Sequence, residues 1–232
     1  MPNWYDGFMA YQIRPASTVF RFGFSEAEQL REFFNNEDNP IGLAFAGRSN
    51  VGKSTLINAL FGKQTARTSK TPGRTREVNV FEFELFDPES KAVHPKKFWL
   101  FDLPGYGHAQ ISKEMAKNWD ELMTTFFTSV KESIRIVNVQ DARHPDQDTD
   151  REFHYWLSRY PLRCSLAFNK LDKLKTQKDR AVLNKLKPQL SKDYAFIRDI
   201  HFISAEKGQG LPPFKSALVS FLLEAEARVD SK

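Results

Sequence analysis

The chain has 232 residues, with 34 Lys and Arg against 29 Asp and Glu, and its hydrophobic content of 41% is enough for a packed core, which excludes wholesale disorder. The single cysteine, Cys164, excludes an internal disulfide and a thiolate zinc cluster and favours a reducing, cytoplasmic compartment. No apolar run is long enough to form an integral membrane span, and residues 1–15 lack the pattern of a secretory signal. The net charge of +5 is compatible with a polyanionic partner.

The N-terminal 37 residues are rich in aromatic side chains and contain no glycine-rich loop. We interpret 1–37 as an extension and 38–228 as a globular domain. Ser25 followed by Glu28 predicts a capping box and a short helix over 25–34. The role of residues 1–24 is not assigned by any pattern in them.

From residue 41 onward, short apolar runs alternate with amphipathic helical patterns. Strands are predicted at 41–46, 77–86, 98–101, 134–139, 164–168 and 200–203. Helices are predicted at 53–61, 112–130, 146–159, 178–186 and 211–227. The polar segment between the second and third strands, 87–97, is interpreted as a connection. This alternation predicts βαβ units and a three-layer α/β/α fold with a mainly parallel sheet.

A predicted phosphate-binding loop, GRSNVGKS over 47–54, follows the first buried strand. Glycines let successive backbone N–H groups converge on phosphate oxygens, and the next helix adds its positive dipole end. We expect Lys53 to contact the β- and γ-phosphates and Ser54 to bind Mg²⁺. The predicted nucleotide contacts of this segment are Gly47, Arg48, Ser49, Asn50, Val51, Gly52, Lys53, Ser54 and Thr55.

The sequence NKLD at 169–172, directly after a predicted strand, favours guanine over adenine. Asp172 can accept two hydrogen bonds from the N1–H and N2–H₂ groups of guanine, a pair that adenine does not offer. Asn169 is expected to support the loop, and the stem of Lys170 to cover one face of the base. The backbone N–H of Ala205 is expected to donate to guanine O6. The predicted base contacts are Asn169, Lys170, Leu171, Asp172, Ser204 and Ala205.

Two further loops are expected to contact the γ-phosphate and its metal ion. Asp102 ends a predicted strand and is expected to hold Mg²⁺ through a water, while the N–H of Gly105 senses the γ-phosphate. Thr75 is expected to present its hydroxyl to Mg²⁺, with Thr71 as the second choice. The predicted contacts of these loops are Gly73, Arg74, Thr75, Asp102, Leu103, Pro104 and Gly105. We expect the triphosphate to order both loops and hydrolysis to release them.

Together these motifs resemble the EngB/YihA/YsxC family of ribosome-assembly GTPases, in the TRAFAC class and its TrmE-Era-EngA-YihA-septin-like superfamily. The segments that carry the resemblance are GRSNVGKSTLINAL at 47–60, ARTSKTPGRT at 66–75, DLPGYGHA at 102–109 and DARHP at 141–145. It covers about residues 38–226. The family often has Thr at the position of Asn169, but Asn is commoner in GTPases at large, so the guanine prediction stands.

The resemblance implies a P-loop GTPase fold of six strands with one antiparallel edge strand. It also implies GTP and GDP binding, slow hydrolysis, and a role in late assembly of the large ribosomal subunit or its precursor, with rRNA as a partner. A link to cell division is implied at the level of the family only. We expect the protein to be a cytoplasmic monomer.

Tyr106 stands after DLPG, where many GTPases place a glutamine that positions water. A phenol cannot orient water as a carboxamide does, so intrinsic hydrolysis is expected to be slow. Asn50 matches an asparagine that coordinates K⁺ in related GTPases, and a cation there would stabilise developing negative charge. The alternative is that Asn50 only stabilises the loop. The predicted catalytic residues are Lys53, Asn50 and Thr75.

Basic residues cluster near the first switch loop: Lys63, Arg67, Lys70, Arg74 and Arg76. They favour rRNA binding that depends on the bound nucleotide, with a solvated loop that neutralises the γ-phosphate as the alternative. A nucleotide-gated scaffold with little catalysis is a second possible function, favoured by the missing glutamine. A P-loop ATPase or kinase is a third, disfavoured by Asp172. No chemical role is assigned to 143–145, and His144 is interpreted as a loop-packing residue.

Overall fold

The computed structural model describes residues 11–62, 65–66, 77–107 and 113–231. In these ranges one mixed sheet of eight strands packs against helices. The strands are β1 (Gln12–Ile13), β2 (Val19–Phe24), β3 (Gly42–Gly47), β4 (Val78–Phe86), β5 (Val93–Asp102), β6 (Ile134–Asp141), β7 (Cys164–Asn169) and β8 (Ile197–Phe202). The helices are α1 (Ala27–Asn36), α2 (Lys53–Phe61), α3 (Lys113–Ser129), α4 (Asp148–Leu157), α5 (Gln177–Asp193) and α6 (Leu211–Asp230), and a 3₁₀ turn covers Leu171–Lys173.

The strand order confirms the α/β fold with a mainly parallel sheet. The order is β1-β4-β5-β3-β6-β7-β8, and β2 also pairs with β4. The strands β5, β3, β6, β7 and β8 are parallel to one another, whereas β4 is antiparallel to β5. The carboxyl ends of the parallel strands therefore meet at one edge of the sheet, where ligands bind in this class of fold.

The N-terminal segment adds two strands to the six that were expected, β3 to β8. Both β1 and β2 pair antiparallel with β4, with Gln12 opposite Phe86 and Phe24 opposite Val78. The antiparallel strand β4 is consequently not the outermost strand. Strand β2 was not predicted, although Phe20, Phe22 and Phe24 alternate along it as in a strand, because the residues before 38 were interpreted only as an aromatic-rich extension. Residues 12–36 thus share one sheet and core with the segment that follows.

Several predicted boundaries differ from the structure, two of them in the N-terminal half of the chain. Helix α1 begins at Ala27, and the Oε1 atom of Gln29 accepts hydrogen bonds from the backbone N–H groups of Ser25 and Glu26, so the cap lies one residue later than the Ser25–Glu28 pattern indicated. The connection predicted at 87–97 is shorter, because β5 already begins at Val93 and pairs with the end of β4. The sequence VHPKK hides this half of the strand because it contains no apolar run.

The central strand β3 separates two hydrophobic clusters. All six of its residues are buried. Leu43 and Phe45 pack with the apolar face of α2 and α6, whereas Ala44 and Ala46 pack with α1, α3 and α4 on the other face. This alternation, two residues per repeat, is what places β3 in the middle of a three-layer domain. Because β3 ends at Gly47, the phosphate loop begins at the carboxyl end of this central strand.

Candidate nucleotide-binding site

The phosphate loop connects the end of β3 to the start of α2. A Cβ atom on Gly47 would lie 2.6 Å from the carbonyl oxygen of Val139. One on Gly52, whose φ is +92°, would lie 2.5 Å from the Nδ2 atom of Asn169. Asn50 is exposed and also adopts a left-handed conformation, with φ +67°. The loop therefore bends where glycine and asparagine tolerate it, and its backbone runs closer to β6 and β7 than any larger residue would permit.

Lys53 and Asp102 lie together at the start of α2 and the end of β5. The Nζ atom of Lys53 contacts the Oδ1 atom of Asp102, and both side chains are buried. The parallel pairing of Phe45 with Asp102 places the carboxylate beside the phosphate loop. Ser54 follows Lys53 as the second residue of α2. A cation, a carboxylate and a hydroxyl therefore come from three positions that the sequence assigned to the γ-phosphate end.

The oxygen donors present fit Mg²⁺, which prefers hydroxyl, carboxylate and water ligands. In the described ranges no group of three or more His, Cys, Asp and Glu side chains could hold a metal ion unaided. A metal ion beside Ser54 and Asp102 would therefore take most of its ligands from nucleotide phosphates and water.

The segment after Asp102 lies directly on the phosphate loop. The N–H of Leu103 donates to the carbonyl of Phe45 at 3.0 Å, and the N–H of Tyr106 donates to the carbonyl of Gly47 at 3.3 Å. A Cβ atom on Gly105 would meet Ser49 Oγ at 3.1 Å. Leu103 and Pro104 are both buried. The contacts hold the backbone of 103–106 against the loop that would carry the phosphates.

Asn169 joins the phosphate loop to the segment after β8. Its Nδ2 atom donates to the carbonyl of Val51 at 3.1 Å, and its Oδ1 atom accepts from the N–H of Ala205 at 3.0 Å. The Ala205 N–H, assigned to guanine O6 from the sequence, thus has a partner in the protein and would have to share its hydrogen with a base. Both functional groups of the carboxamide are used, and the residue is buried.

Asp172 has a partly exposed carboxylate at the end of the site where the sequence predicts the guanine base, which we call the base end. Ser204 Oγ donates to its Oδ1 atom at 2.6 Å, and Lys173 Nζ lies 3.1 Å from its Oδ2 atom. The N–H of Lys207 donates to Ser204 Oγ, which orients the serine hydroxyl toward the aspartate. The hydrogen bond from Ser204 holds the pKa of Asp172 below its usual value. The carboxylate is therefore ionised at neutral pH and able to accept N–H groups of a purine.

Lys170 links the same end of the site to the phosphate loop. Its Nζ atom donates to the carbonyl of Asn50 at 2.5 Å and to Asp141 Oδ2 at 2.9 Å. Burial alone would raise the pKa of Asp141, but hydrogen bonds from Arg143 and Lys170 outweigh it and hold that pKa well below its usual value. Asp141 begins the DARHP segment, to which the sequence analysis assigned no chemical role beyond the resemblance.

Arg48 directs its side chain to α4. Its Nε atom lies 3.0 Å from each carboxylate oxygen of Asp150, and one terminal nitrogen donates to the carbonyl of His144 at 3.2 Å. The other terminal nitrogen donates to Gln147 Oε1 at 3.1 Å. Because the guanidinium is engaged in this way, Arg48 would contribute to a phosphate site only through its backbone. Spacing gave no signal for these partners, which lie about 100 positions away in the chain.

Several predicted contacts fall outside the described residues. They are Thr71, Gly73, Arg74 and Thr75, together with the basic residues Lys63, Arg67, Lys70 and Arg76. Thr55 is described and lies exposed on α2, while Leu171 is buried and opens the 3₁₀ turn.

Proteins with a phosphate loop after the central strand of such a sheet and a purine-reading carboxylate after a later strand are P-loop GTPases. The family model described as "50S ribosome-binding GTPase" matches residues 42–170. A protein named "Probable GTP-binding protein EngB" from Sinorhizobium medicae is 36% identical over 182 residues, which are 78% of this chain and 83% of that protein. One from Pseudoalteromonas translucida is 37% identical over 188 residues, 80% and 79% of the two chains. The chain therefore belongs to the EngB family of GTP-binding proteins, and its activity is GTP hydrolysis.

Solved structures show the same fold. A crystal structure of a probable GTP-binding protein EngB has a TM-score of 0.52 and 23% identity, covering 79% of this chain and 99% of the other. Aquifex aeolicus Era bound to GDP·AlF₄⁻ has a TM-score of 0.62 and 23% identity, covering 80% of this chain and 57% of Era. Across the described ranges, none of the helices combines the length and apolar character needed to cross a membrane.

Proposed function

We propose that this protein is a monomeric, cytoplasmic nucleotide switch that alternates between GTP and GDP during assembly of the large ribosomal subunit. The observation that carries the nucleotide part is the position of Asn169, whose side chain joins the phosphate loop at Val51 to the segment beside Asp172 at Ala205. A carboxylate that recognises guanine and a loop that binds phosphate are thereby parts of one hydrogen-bonded unit.

The proposed roles follow the chemistry of each residue. Lys53 neutralises the β- and γ-phosphates, and the backbone of residues 47–55 binds their oxygens. Ser54 and Thr75 would hold Mg²⁺, which GTPases generally use, through their hydroxyls, and Asp102 would hold it through a water. Its chemical contribution when bound is to neutralise charge that develops on the phosphate oxygens. The buried contact between Lys53 and Asp102 supports this grouping.

Hydrolysis is proposed to be slow without a further cation or partner. Tyr106 is 5% exposed, and its ring stacks on Phe153 at 4.4 Å between centroids, so it is not placed to orient water. We propose that Asn50 helps to bind K⁺ beside the β- and γ-phosphates, where a cation would stabilise developing charge. Single-turnover hydrolysis in KCl should exceed that in NaCl at equal ionic strength, and equal rates would contradict the K⁺ role.

The ribosomal role is supported by the family that matches residues 42–170, which is a family of 50S ribosome-binding GTPases. An Era protein of the same fold has been crystallised with MgGDPNP and a fragment of 16S ribosomal RNA. The test is co-sedimentation with large-subunit precursors in the presence of a non-hydrolysable GTP analogue or GDP. We expect the analogue to increase binding and added salt to weaken it.

The matched control for that experiment is Asp172→Asn, which should bind precursors with the xanthosine analogue and not with the guanosine analogue. Binding that ignores both nucleotide and salt would contradict a switch acting on rRNA. The link to cell division implied by the resemblance stays a prediction, since none of the described contacts bears on it.

A further inference from the structure

A single buried carboxylate contacts both the phosphate loop and the segment after DLPG. Asp150, the third residue of α4, has no exposed surface. Its Oδ1 atom accepts hydrogen bonds from Tyr106 Oη at 2.9 Å and from Arg48 Nε at 3.0 Å. Its Oδ2 atom accepts from Arg48 Nε at 3.0 Å and from the N–H of Gln147 at 3.1 Å. Both oxygens therefore have partners, and two of those partners flank the phosphate site.

The two residues that Asp150 holds are also joined through their backbones. Arg48 and Tyr106 form an isolated parallel β-bridge, with the N–H of Tyr106 donating to the carbonyl of Gly47. Gly105, which precedes Tyr106, lies so close to the phosphate loop that an added Cβ atom would meet Ser49 Oγ at 3.1 Å. The position of the Gly105 N–H, which the mechanism directs at the γ-phosphate, thus depends on where Tyr106 is held.

The hydroxyl of Tyr106 has a defined orientation. It donates to Asp150 and accepts from Asn138 Nδ2 at 2.9 Å. The Oδ1 atom of Asn138 in turn lies 3.1 Å from Gln140 Nε2 and 3.1 Å from His154 Nε2. All these side chains are buried, so alternative partners such as bulk water do not compete for them. The tyrosine is consequently fixed by its ring and by its hydroxyl at once.

We propose that Asp150 is a positioning residue for GTP hydrolysis, which holds Arg48 and Tyr106 so that Gly105 stays at the γ-phosphate. A tyrosine suits this role because it reaches α4, which the shorter, water-orienting glutamine of other GTPases would not do. Burial raises the pKa of Asp150, and the neighbouring Arg48 opposes this rise. Loss of Arg48 would leave the buried carboxylate without its cation, and loss of Asp150 would leave the Arg48 guanidinium without its anion. The proposal depends on the GTPase activity and not on the ribosomal role.

The test separates the chemical step from nucleotide binding. Tyr106→Phe keeps the stacked ring and removes only the hydroxyl, and Asp150→Asn keeps the shape and removes the charge. We expect Tyr106→Phe to slow single-turnover GTP hydrolysis by about tenfold, since small displacements of positioned groups have effects of this order or larger. The affinity for a fluorescent GDP should stay within about twofold, because GDP has no γ-phosphate for Gly105 to contact.

Two further variants distinguish positioning from general stability. Ser133→Ala removes a buried hydrogen bond to the carbonyl of Pro40, 2.8 Å long, at the opposite end of β6, and should lower thermal stability without slowing hydrolysis. The double variant of Tyr106→Phe and Asp150→Asn should hydrolyse no more slowly than Asp150→Asn alone, because the two groups act through one contact.

The proposal is overturned if Tyr106→Phe hydrolyses GTP at the wild-type rate, if its GDP affinity falls as far as its rate, or if Ser133→Ala slows hydrolysis equally. Should Asp150→Asn fail to fold, the comparison of Tyr106→Phe with Ser133→Ala decides alone, because both variants remove one hydroxyl from a buried site. Wild-type hydrolysis in the same assay establishes the activity independently of these outcomes.

Discussion

The two ends of the nucleotide site are built in different ways. At the base end, the partly exposed Asp172 is held by Lys173 in the same 3₁₀ turn and by Ser204 in the segment after β8. At the γ-phosphate end, Tyr106 is held by Asp150 and Asn138, which are buried and belong to a distant helix and strand. If these residues have the proposed roles, specificity for the base depends on a few local contacts, whereas the geometry at the γ-phosphate depends on the interior of the domain.

The largest effect is expected at the base end. Asp172→Asn should weaken GTP binding by roughly 10³-fold and create binding of xanthosine triphosphate, because the new amide can donate to the xanthine oxygen but leaves guanine donors unpaired. Direct titration of the wild type and the variant with labelled guanosine and xanthosine analogues measures the change. The stability of the protein should change little, and a variant that still prefers guanosine would contradict the assignment of Asp172.

At the γ-phosphate end, Asn138→Ala should lower the free energy of unfolding by about 3 kcal/mol, because it leaves buried donors of Gln140 and His154 without an acceptor. Urea denaturation measures this. Asn79→Ala, on β4 and only half-buried, is the matched control and should change stability by less than about 1 kcal/mol. If both variants lowered the free energy of unfolding equally, the buried hydrogen bonds of Asn138 would contribute no more to stability than those of a half-buried asparagine.

The same interior network predicts a dependence of stability on pH. Burial lowers the pKa of His154 to about 4, whereas an unfolded histidine titrates near 6.5. Between these two pKa values the unfolded chain binds a proton at His154 and the folded protein does not. The free energy of unfolding therefore falls as pH decreases from 6.5 toward 4. Between about pH 7 and pH 5 the wild type should lose roughly 2 kcal/mol more than His154→Gln, measured from urea midpoints. The matched control is His144→Gln in the exposed loop, and a His154→Gln profile parallel to the wild type would exclude this contribution.

The smallest effects are expected from two glycines with positive φ. Gly52→Ala should weaken GTP binding by about tenfold, because its Cβ atom would collide with Asn169, which joins the two ends of the site. Gly208, with φ +74°, has no atom within 4 Å of an added Cβ. Gly208→Ala should therefore lower stability by about 1 kcal/mol and leave GTP affinity unchanged. If both variants bound GTP equally, close approach at Gly52 would not matter.

Much of the fold followed from periodicity, and the exceptions have physical reasons. Helix α2 was predicted at its observed bounds because a phosphate loop fixes its start. Strand β2 was missed because its alternating phenylalanines were interpreted as part of an aromatic-rich extension, and the first half of β5 because VHPKK carries no apolar alternation. Helix α5 was predicted too short, ending at residue 186, whereas the helix continues through Pro188 to Asp193 and buries Leu190. Tertiary contacts outweigh propensity in such segments.

The sequence by itself determined the family, the α/β fold and the GTPase activity, since the phosphate loop and the proposed guanine-binding NKLD are motifs of residues that are neighbours along the chain. Only the tertiary structure decided which side chains Arg48 and Tyr106 contact. Their shared partner Asp150 is 102 positions from Arg48 and 44 from Tyr106. Such a contact leaves no trace in local spacing, because it exists only once the sheet has brought β3, β5 and α4 together and water has been excluded from between them.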